Sequence, residues 1–157
     1  MVDQPQYLTP EGLETLEKQL KELKEFRRPQ VLDRLHRSLQ EGGELSENAE
    51  YEDAKIEQAY IEGQIVRLET ILRQAEVIEP TDHYDKVMIG AHVTVVEKGY
   101  DDPEQYQIVG SAEANPREGK ISVESPIGKA LLGAKVGAKV KVATPDGETV
   151  FKIKSID

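Results

Sequence analysis

Gly42-Gly43-Glu44-Leu45-Ser46-Glu47-Asn48-Ala49-Glu50-Tyr51 decides how this chain folds, because it interrupts two long periodic stretches. A Gly-Gly pair carries a high backbone entropy cost in a helix and stops one. Upstream, Thr9-Pro10-Glu11-Gly12 is a start signal: Thr9 caps, Pro10 suits the first helical position and Glu11 meets the positive end of the dipole. Leu13, Leu16, Leu20 and Leu23 then follow at spacings of 3, 4 and 3, which is a coiled-coil seam. The register slips after Phe26, and apolar positions resume at Val31, Leu32, Leu35 and Leu39. Pro29 sits at the slip and predicts a kink there. Downstream, a second helix is expected from near Glu47 to about Gln74, with its seam at Ala54, Gln58, Ile61, Ile65, Leu68, Leu72 and Ala75. A short break between two such helices predicts an antiparallel hairpin. Thirty residues of helix would make an arm of about 45 Å. From periodicity alone, a plain helical stalk or a dimerisation element reads as well as a functional arm.

The chain changes grammar near Pro80. Residues 1–79 carry 18 acidic and 10 basic side chains, whereas 80–157 carry 12 and 10. Glu79-Pro80-Thr81-Asp82 is the expected linker, so the expected domains are 1–79, a helical hairpin with an acidic tip near 41–53, and 80–157. The second half reads as strands at Val93–Val96, Tyr106–Val109, Lys120–Val123, Lys139–Val142 and Val150–Ile153. Pro145-Asp146-Gly147 turns the last two into a hairpin. Ser125-Pro126 opens a two-turn helix that Gly133 ends. Together these predict an α+β unit, a small and mainly antiparallel sheet with one helix on a face.

Composition excludes several function classes. The 157 residues hold 30 acidic and 20 basic side chains, a net charge of −10, so the overall field does not favour nucleic acid. The absence of Cys removes disulfides, thiolate metal sites and thiol nucleophiles. No apolar run nears the ~20 residues that cross a bilayer. Met1-Val2-Asp3-Gln4-Pro5 lacks the pattern of a signal peptide, and a cytoplasmic location is the expectation. His36, His83 and His92 have no metal-ligand spacing. Ser122, Ser125 and Ser155 lack a nucleophile motif.

The expected tip is the place where charge is concentrated. Glu41, Glu44, Glu47, Glu50, Glu52 and Asp53 lie there with no Lys or Arg between them. Acids at a helix start complement its dipole, and that alone accounts for some of them. Carboxylates at the end of an arm also suit a hard cation such as Mg²⁺. That ion usually takes one or two protein carboxylates and completes its shell elsewhere. Two exposed carboxylates make a poor site alone, so the remaining ligands would come from a partner. Arg27, Arg28, Arg34 and Arg37 read mostly as salt-bridge partners for the acidic second helix.

Arg27-Arg28-Pro29, Gly43 to Tyr51, Ile108-Val109-Gly110 with Glu113-Ala114, Ile121-Ser122-Val123 and Ser125-Pro126-Ile127-Gly128 with Leu132-Gly133 occur in an order that resembles the bacterial transcript-cleavage factors of the Gre family. The resemblance runs along nearly the whole chain. It implies an N-terminal coiled-coil hairpin and a C-terminal domain similar to FKBP-type isomerases. It implies RNA polymerase as the partner, with the globular domain at the rim of the secondary channel and the hairpin reaching the active site. There, two tip acids would help hold the polymerase's second Mg²⁺ while the polymerase hydrolyses the 3′ segment of a backtracked transcript. No cofactor is implied for the isolated chain, which is expected to be a monomer and not itself an enzyme.

By position, the two acids fall on Glu44 and Glu47. The common pattern has Asp at the first place, and Glu44 is longer by one carbon–carbon bond, about 1.5 Å. A basic position before the tip is Gln40 here, which leaves Arg37 and Lys55 as the candidates for contact with the RNA 3′ end. Ser125, Pro126 and Ile127 match the polymerase-docking segment. Two other readings compete: a Gre homologue that occupies the channel and inhibits without stimulating cleavage, and a prolyl isomerase or peptide-binding module. Retention of Asn48-Ala49-Glu50-Tyr51 beside the Glu pair favours cleavage over inhibition. The scarcity of aromatic residues in the second half weighs against the isomerase.

Overall fold

The computed structural model describes residues 5–41, 48–79, 81 and 83–157, which form two compact units. One unit is Leu13–Gln74; the other joins Met1–Gly12 to Ala75–Asp157. The sequence placed the division at 79/80, so residues 1–12 and 75–79 belong with the opposite partner from the one expected. The cause is a pairing between distant segments. Strand β1 (Gln6–Leu8) runs parallel to β2 (Ala75–Val77), with Gln6 opposite Ala75 and Leu8 opposite Val77. Ile78 N–H donates to Leu8 C=O at 2.8 Å, and Leu8 is fully buried. Ala75, expected in the helical seam, therefore starts a strand instead.

In the helical unit, α1 (Pro10–Glu22) leads into a single π-type turn (Leu23–Arg27) and then α2 (Arg28–Glu41). The long helix α3 (Ala49–Arg73) follows. The slip in the leucine seam has a defined cause. Leu23 and Val31 are eight residues apart, one more than a heptad, and the π turn absorbs the extra residue. Arg28 N–H reaches back to Leu23 C=O rather than to the carbonyl four residues before it. The wide turn precedes Pro29 directly, where an α-helix would bring its ring against the carbonyl of Glu25. The expected kink at Pro29 is thus a widened turn just before it. Val31 then packs with Ile61 and Ile65, and Leu20 and Leu23 pack against them. Beyond the slip, Val31 and Ser38 are the buried positions, with Leu35 half-buried; Leu32 and Leu39 are exposed. On α3 the buried residues Ala54, Ile61, Ile65 and Leu68 are four of the expected seam positions.

Ion pairs set the direction of the helix pair. Lys24 meets Glu69, Arg28 meets Glu62, and Arg34 meets both Glu57 and Glu50. Ascending numbers on one helix meet descending numbers on the other, so α3 runs antiparallel to α2. Arg28 is bidentate to Glu62, at 2.7 and 2.8 Å.

The other unit is built on a five-stranded sheet in the order β5-β4-β3-β7-β6, from β3 (His92–Glu97), β4 (Glu104–Val109), β5 (Lys120–Ser122), β6 (Lys139–Thr144) and β7 (Gly147–Ile156). Every pairing is antiparallel except β4–β5. All five expected strands and the β6–β7 hairpin are present. Gly147 adopts φ +121°, a conformation that favours glycine at this turn. Helix α4 (Pro126–Leu131) packs Leu131 and Ile127 into a core with Val93, Val95, Ile108, Val142, Phe151 and Ile153. Among the described residues no helix is long and apolar enough to cross a membrane.

Candidate functional site

The hairpin end is organised by Asn48. Asn48 is buried and caps α3, accepting from Tyr51 N–H at 3.0 Å. Its side-chain amide donates to Ser38 C=O at 2.6 Å. Ser38 is among the last four residues of α2, whose carbonyls have no partner within the helix. One side chain therefore satisfies an orphan donor at the start of α3 and an orphan acceptor at the end of α2. It ties the end of α2 to the start of α3. Sequence reading placed Asn48 in the motif but gave it no role of its own. An Asn just before a periodic stretch is the signal that would have identified the cap.

Glu44 and Glu47, the expected metal-holding acids, lie in 42–47, outside the described residues. Helix α3 starts at Ala49, two residues after the expected start near Glu47. Glu50 is committed elsewhere. It takes a hydrogen bond from Arg34, and that bond, with the added Coulomb attraction of the guanidinium, holds its carboxyl below the usual carboxylate range. Arg34 also binds Glu57 at 2.6 Å. Glu52 and Asp53, further along the same stretch, are exposed. Carboxylate oxygens are the donors a hard divalent cation takes, so Glu44 and Glu47 suit Mg²⁺ by chemistry.

The two candidate RNA contacts fare differently from the salt-bridge arginines. Arg37 was grouped with those expected to reach the second helix, but it pairs at 2.8 Å with Asp33 on its own helix. Both side chains are largely exposed, and an exposed pair of this kind is weak enough to exchange for another anion. Lys55 holds its ammonium 5.2 Å from the centre of the Tyr51 ring, a cation–π contact that keeps the charge exposed.

The second candidate site is the corner between β5 and α4. Ser125 caps α4, accepting from Gly128 N–H at 3.0 Å, while its hydroxyl donates to Ser122 C=O at 2.7 Å. Its hydroxyl is thus spent on holding the corner. Pro126 is the first residue of the helix and is exposed, whereas Ile127 is half-buried against the sheet core. Ser111 ties in from the side, donating to Glu124 at 2.7 Å and lying 3.0 Å from the Ser122 hydroxyl. A Cβ on Gly128 would lie 1.9 Å from Ser122 C=O, so only glycine permits this approach. Of the expected docking trio, Pro126 presents the open surface and Ser125 fixes its position.

A further pairing was not expected. Glu113 accepts from Thr9 N–H at 2.7 Å and from the Thr9 hydroxyl at 2.6 Å, while Thr9 Oγ1 accepts from Gly12 N–H at 3.0 Å. The expected Thr9 cap is therefore present, and a carboxylate 104 residues away holds it. Nothing in local sequence links those positions.

Comparison with known proteins bears on both halves. A family model described as "Transcription elongation factor, N-terminal" matches residues 6–77, and "Transcription elongation factor, GreA/GreB, C-term" matches 81–157. The chain is 49% identical over 150 residues to the transcription elongation factor GreA of Acetivibrio thermocellus, covering 95% of this chain and 94% of that one. It is 50% identical over 151 residues to GreA of Lactococcus lactis subsp. lactis, covering 96% of each. Among solved structures, the GreA factor homolog 1 protein of Thermus thermophilus is 32% identical, covers 98% of this chain and 99% of that one, and has a TM-score of 0.47.

Proposed function

Because the chain belongs to the GreA/GreB family of transcription elongation factors, we propose that it acts by stimulating RNA polymerase to cleave the 3′ end of a backtracked transcript. In this reading the helix pair is a coiled-coil arm that enters the secondary channel, and the sheet unit is an FKBP-like docking domain. The observation that carries the reading is the Asn48 bridge, which joins the ends of α2 and α3 on either side of Glu44 and Glu47. An acid pair meant only for solubility would not need its flanks pinned by a buried amide. The 25 residues of α3 span about 37 Å, enough to carry the tip to a buried centre.

The polymerase's Mg²⁺, when bound, supplies activation of the attacking water. The chain's own residues bring carboxylate oxygens to that centre and keep neighbouring charge in check. Arg34 holds Glu50 in an ion pair, so in this reading the metal-directed acids are Glu44 and Glu47. Pro126 and Ile127 supply the docking contact. Arg37 and Lys55 are placed beside the tip in sequence with their charges exposed, and they meet the RNA 3′ end.

The test is a backtracked polymerase complex with labelled RNA, scored for released short RNA and, separately, for factor binding by competition. Glu44→Ala and Glu47→Ala should each abolish stimulated cleavage while leaving binding nearly intact. Pro126→Ala with Ile127→Ala should weaken binding. Equal loss of binding and cleavage in the tip variants would refute this division of labour. A wild-type chain that binds and releases no RNA would establish the inhibitor instead.

A further inference from the structure

The outer face of the sheet unit carries a concentration of positive charge that the proposed function does not use. On β7, Phe151 and Ile153 point into the core, so Lys152 and Lys154 stand on the opposite face. On β6, Val142 is buried with Val140 packed behind it, and Lys139 and Lys141 project outward. Register brings them together. Lys139 sits directly opposite Lys152, with Val96 of β3 next in the row. In the adjacent row Lys141 faces Val150, whose carbonyl accepts from Lys98 N–H at 2.8 Å. The five lysines and Tyr100 line one open groove of about 460 Å³.

None of these lysines is in an ion pair among the described residues. Glu97, which also lines the groove, accepts a hydrogen bond from Thr149 at 2.8 Å. Edge protection explains part of the pattern, since β6 is an edge strand and lysines there discourage strand addition. It does not explain Lys152 and Lys154, because β7 lies inside the sheet between β3 and β6. Like charges directly opposite, as at Lys139 and Lys152, destabilise a sheet. In a chain of net charge −10, with 30 acids available as partners, so many unneutralised lysines on one face call for an anion from outside.

The chemistry of the face narrows the anion. Along each strand the lysines recur every second residue, about 6.7 Å apart, a regular row of point charges without the forked geometry that arginine brings to single carboxylates. Tyr100, which lines the groove, is 66% exposed, and an exposed ring beside a basic groove is a stacking platform for a base. We propose that this β6–β7 face binds single-stranded RNA, with the lysines on its phosphates and Tyr100 against a base. The choice of RNA rests on the reading above, in which the chain works where a displaced transcript strand is free.

The test needs no polymerase, so its failure is separable from failure of the cleavage reading. The full chain is titrated against a fluorescent RNA of about 12 nucleotides by anisotropy, at several salt concentrations. Lys139→Gln/Lys152→Gln/Lys154→Gln should bind at least about tenfold more weakly at low salt, and the log–log salt slope should fall by about 2, at ~0.7 for each phosphate left without its lysine. Lys129→Gln/Lys135→Gln, which removes lysines outside the groove, should bind as wild type does. Tyr100→Ala should weaken binding without changing the slope. Unchanged binding in the triple variant, or no binding by wild type at low salt, overturns the proposal. So does tighter binding of a poly-glutamate peptide, which would assign the face to an acidic polypeptide. Equal or tighter binding of single-stranded or duplex DNA of the same length would reassign it to DNA.

Discussion

Replacing Asn48 with Ala removes two bonds that serve different helices. The cap on Tyr51 N–H is worth about 1 kcal/mol, by analogy with other Asn caps. Losing the amide leaves the Ser38 carbonyl buried beside a methyl group, at a further cost of about 1–3 kcal/mol. The expected sum is about 2–4 kcal/mol. In a cooperative unit of about 60 residues each kcal/mol moves the midpoint by roughly 4–8 °C, so the melting temperature of the helical signal at 222 nm should fall by at least about 8 °C. Asn48→Asp separates the contributions. It keeps the acceptor and adds a charge favoured at the start of α3, but it sets a carboxylate oxygen against the Ser38 carbonyl in place of the donor, so any recovery over Ala measures the cap alone. Stimulated cleavage should fall more steeply than stability in both variants at temperatures where they remain folded, because the flanks of Glu44 and Glu47 are no longer pinned. An Asn48→Ala variant within ~0.5 kcal/mol of wild type would refute the bridge as a structural element.

Three further outcomes are expected. Gly128→Ala should destabilise the sheet unit by roughly 1–3 kcal/mol or more, since its Cβ would meet a backbone carbonyl; Gly63→Ala, on α3 with nothing within 4 Å, should instead stabilise the helical unit by roughly 0.5–1 kcal/mol, both read by calorimetry. The carboxyls of Glu50, Glu62 and Glu69 are lowered by hydrogen bonds from Arg34, Arg28 and Lys24, so the stability they add is fully present above the unfolded value of about 4.3 and is lost as pH falls through their lowered folded values. The helical melting temperature should accordingly hold from pH 7 to about 5 and drop below about 4.3, and Glu62→Gln or high salt should shrink the drop. Glu44→Asp should retain cleavage, with one fewer torsion to order, while Glu44→Gln should lose it across a Mg²⁺ titration; a Gln variant equal to wild type would remove Glu44 from the site.

Elements whose cause is local were legible from the order of residues. The leucine spacing at 13, 16, 20 and 23 placed α1, and the apolar seam through Ile61, Ile65 and Leu68 placed α3, because a 3.6-residue period is written into the order of side chains. Ser125-Pro126 placed α4, and Pro145-Asp146-Gly147 placed the last hairpin, because caps and tight turns are read over a few neighbours. The slip near Phe26 was visible too, although only the backbone shows that a π turn, and not Pro29 alone, resolves it. Pairings across long separations emerged only once the chain was folded. The parallel ribbon of residues 6–8 with 75–77 moved the unit boundary, yet three-residue strands leave no period to detect. Glu113 on Thr9 and Asn48 on Ser38 join groups that no local rule connects, and each exists because a helix end must find partners for its unpaired backbone groups. The lysine face likewise forms only on folding: Lys139 and Lys141 are merely alternating residues of one strand until register sets Lys139 opposite Lys152 and Lys141 opposite Val150, and only then does scattered charge become a surface.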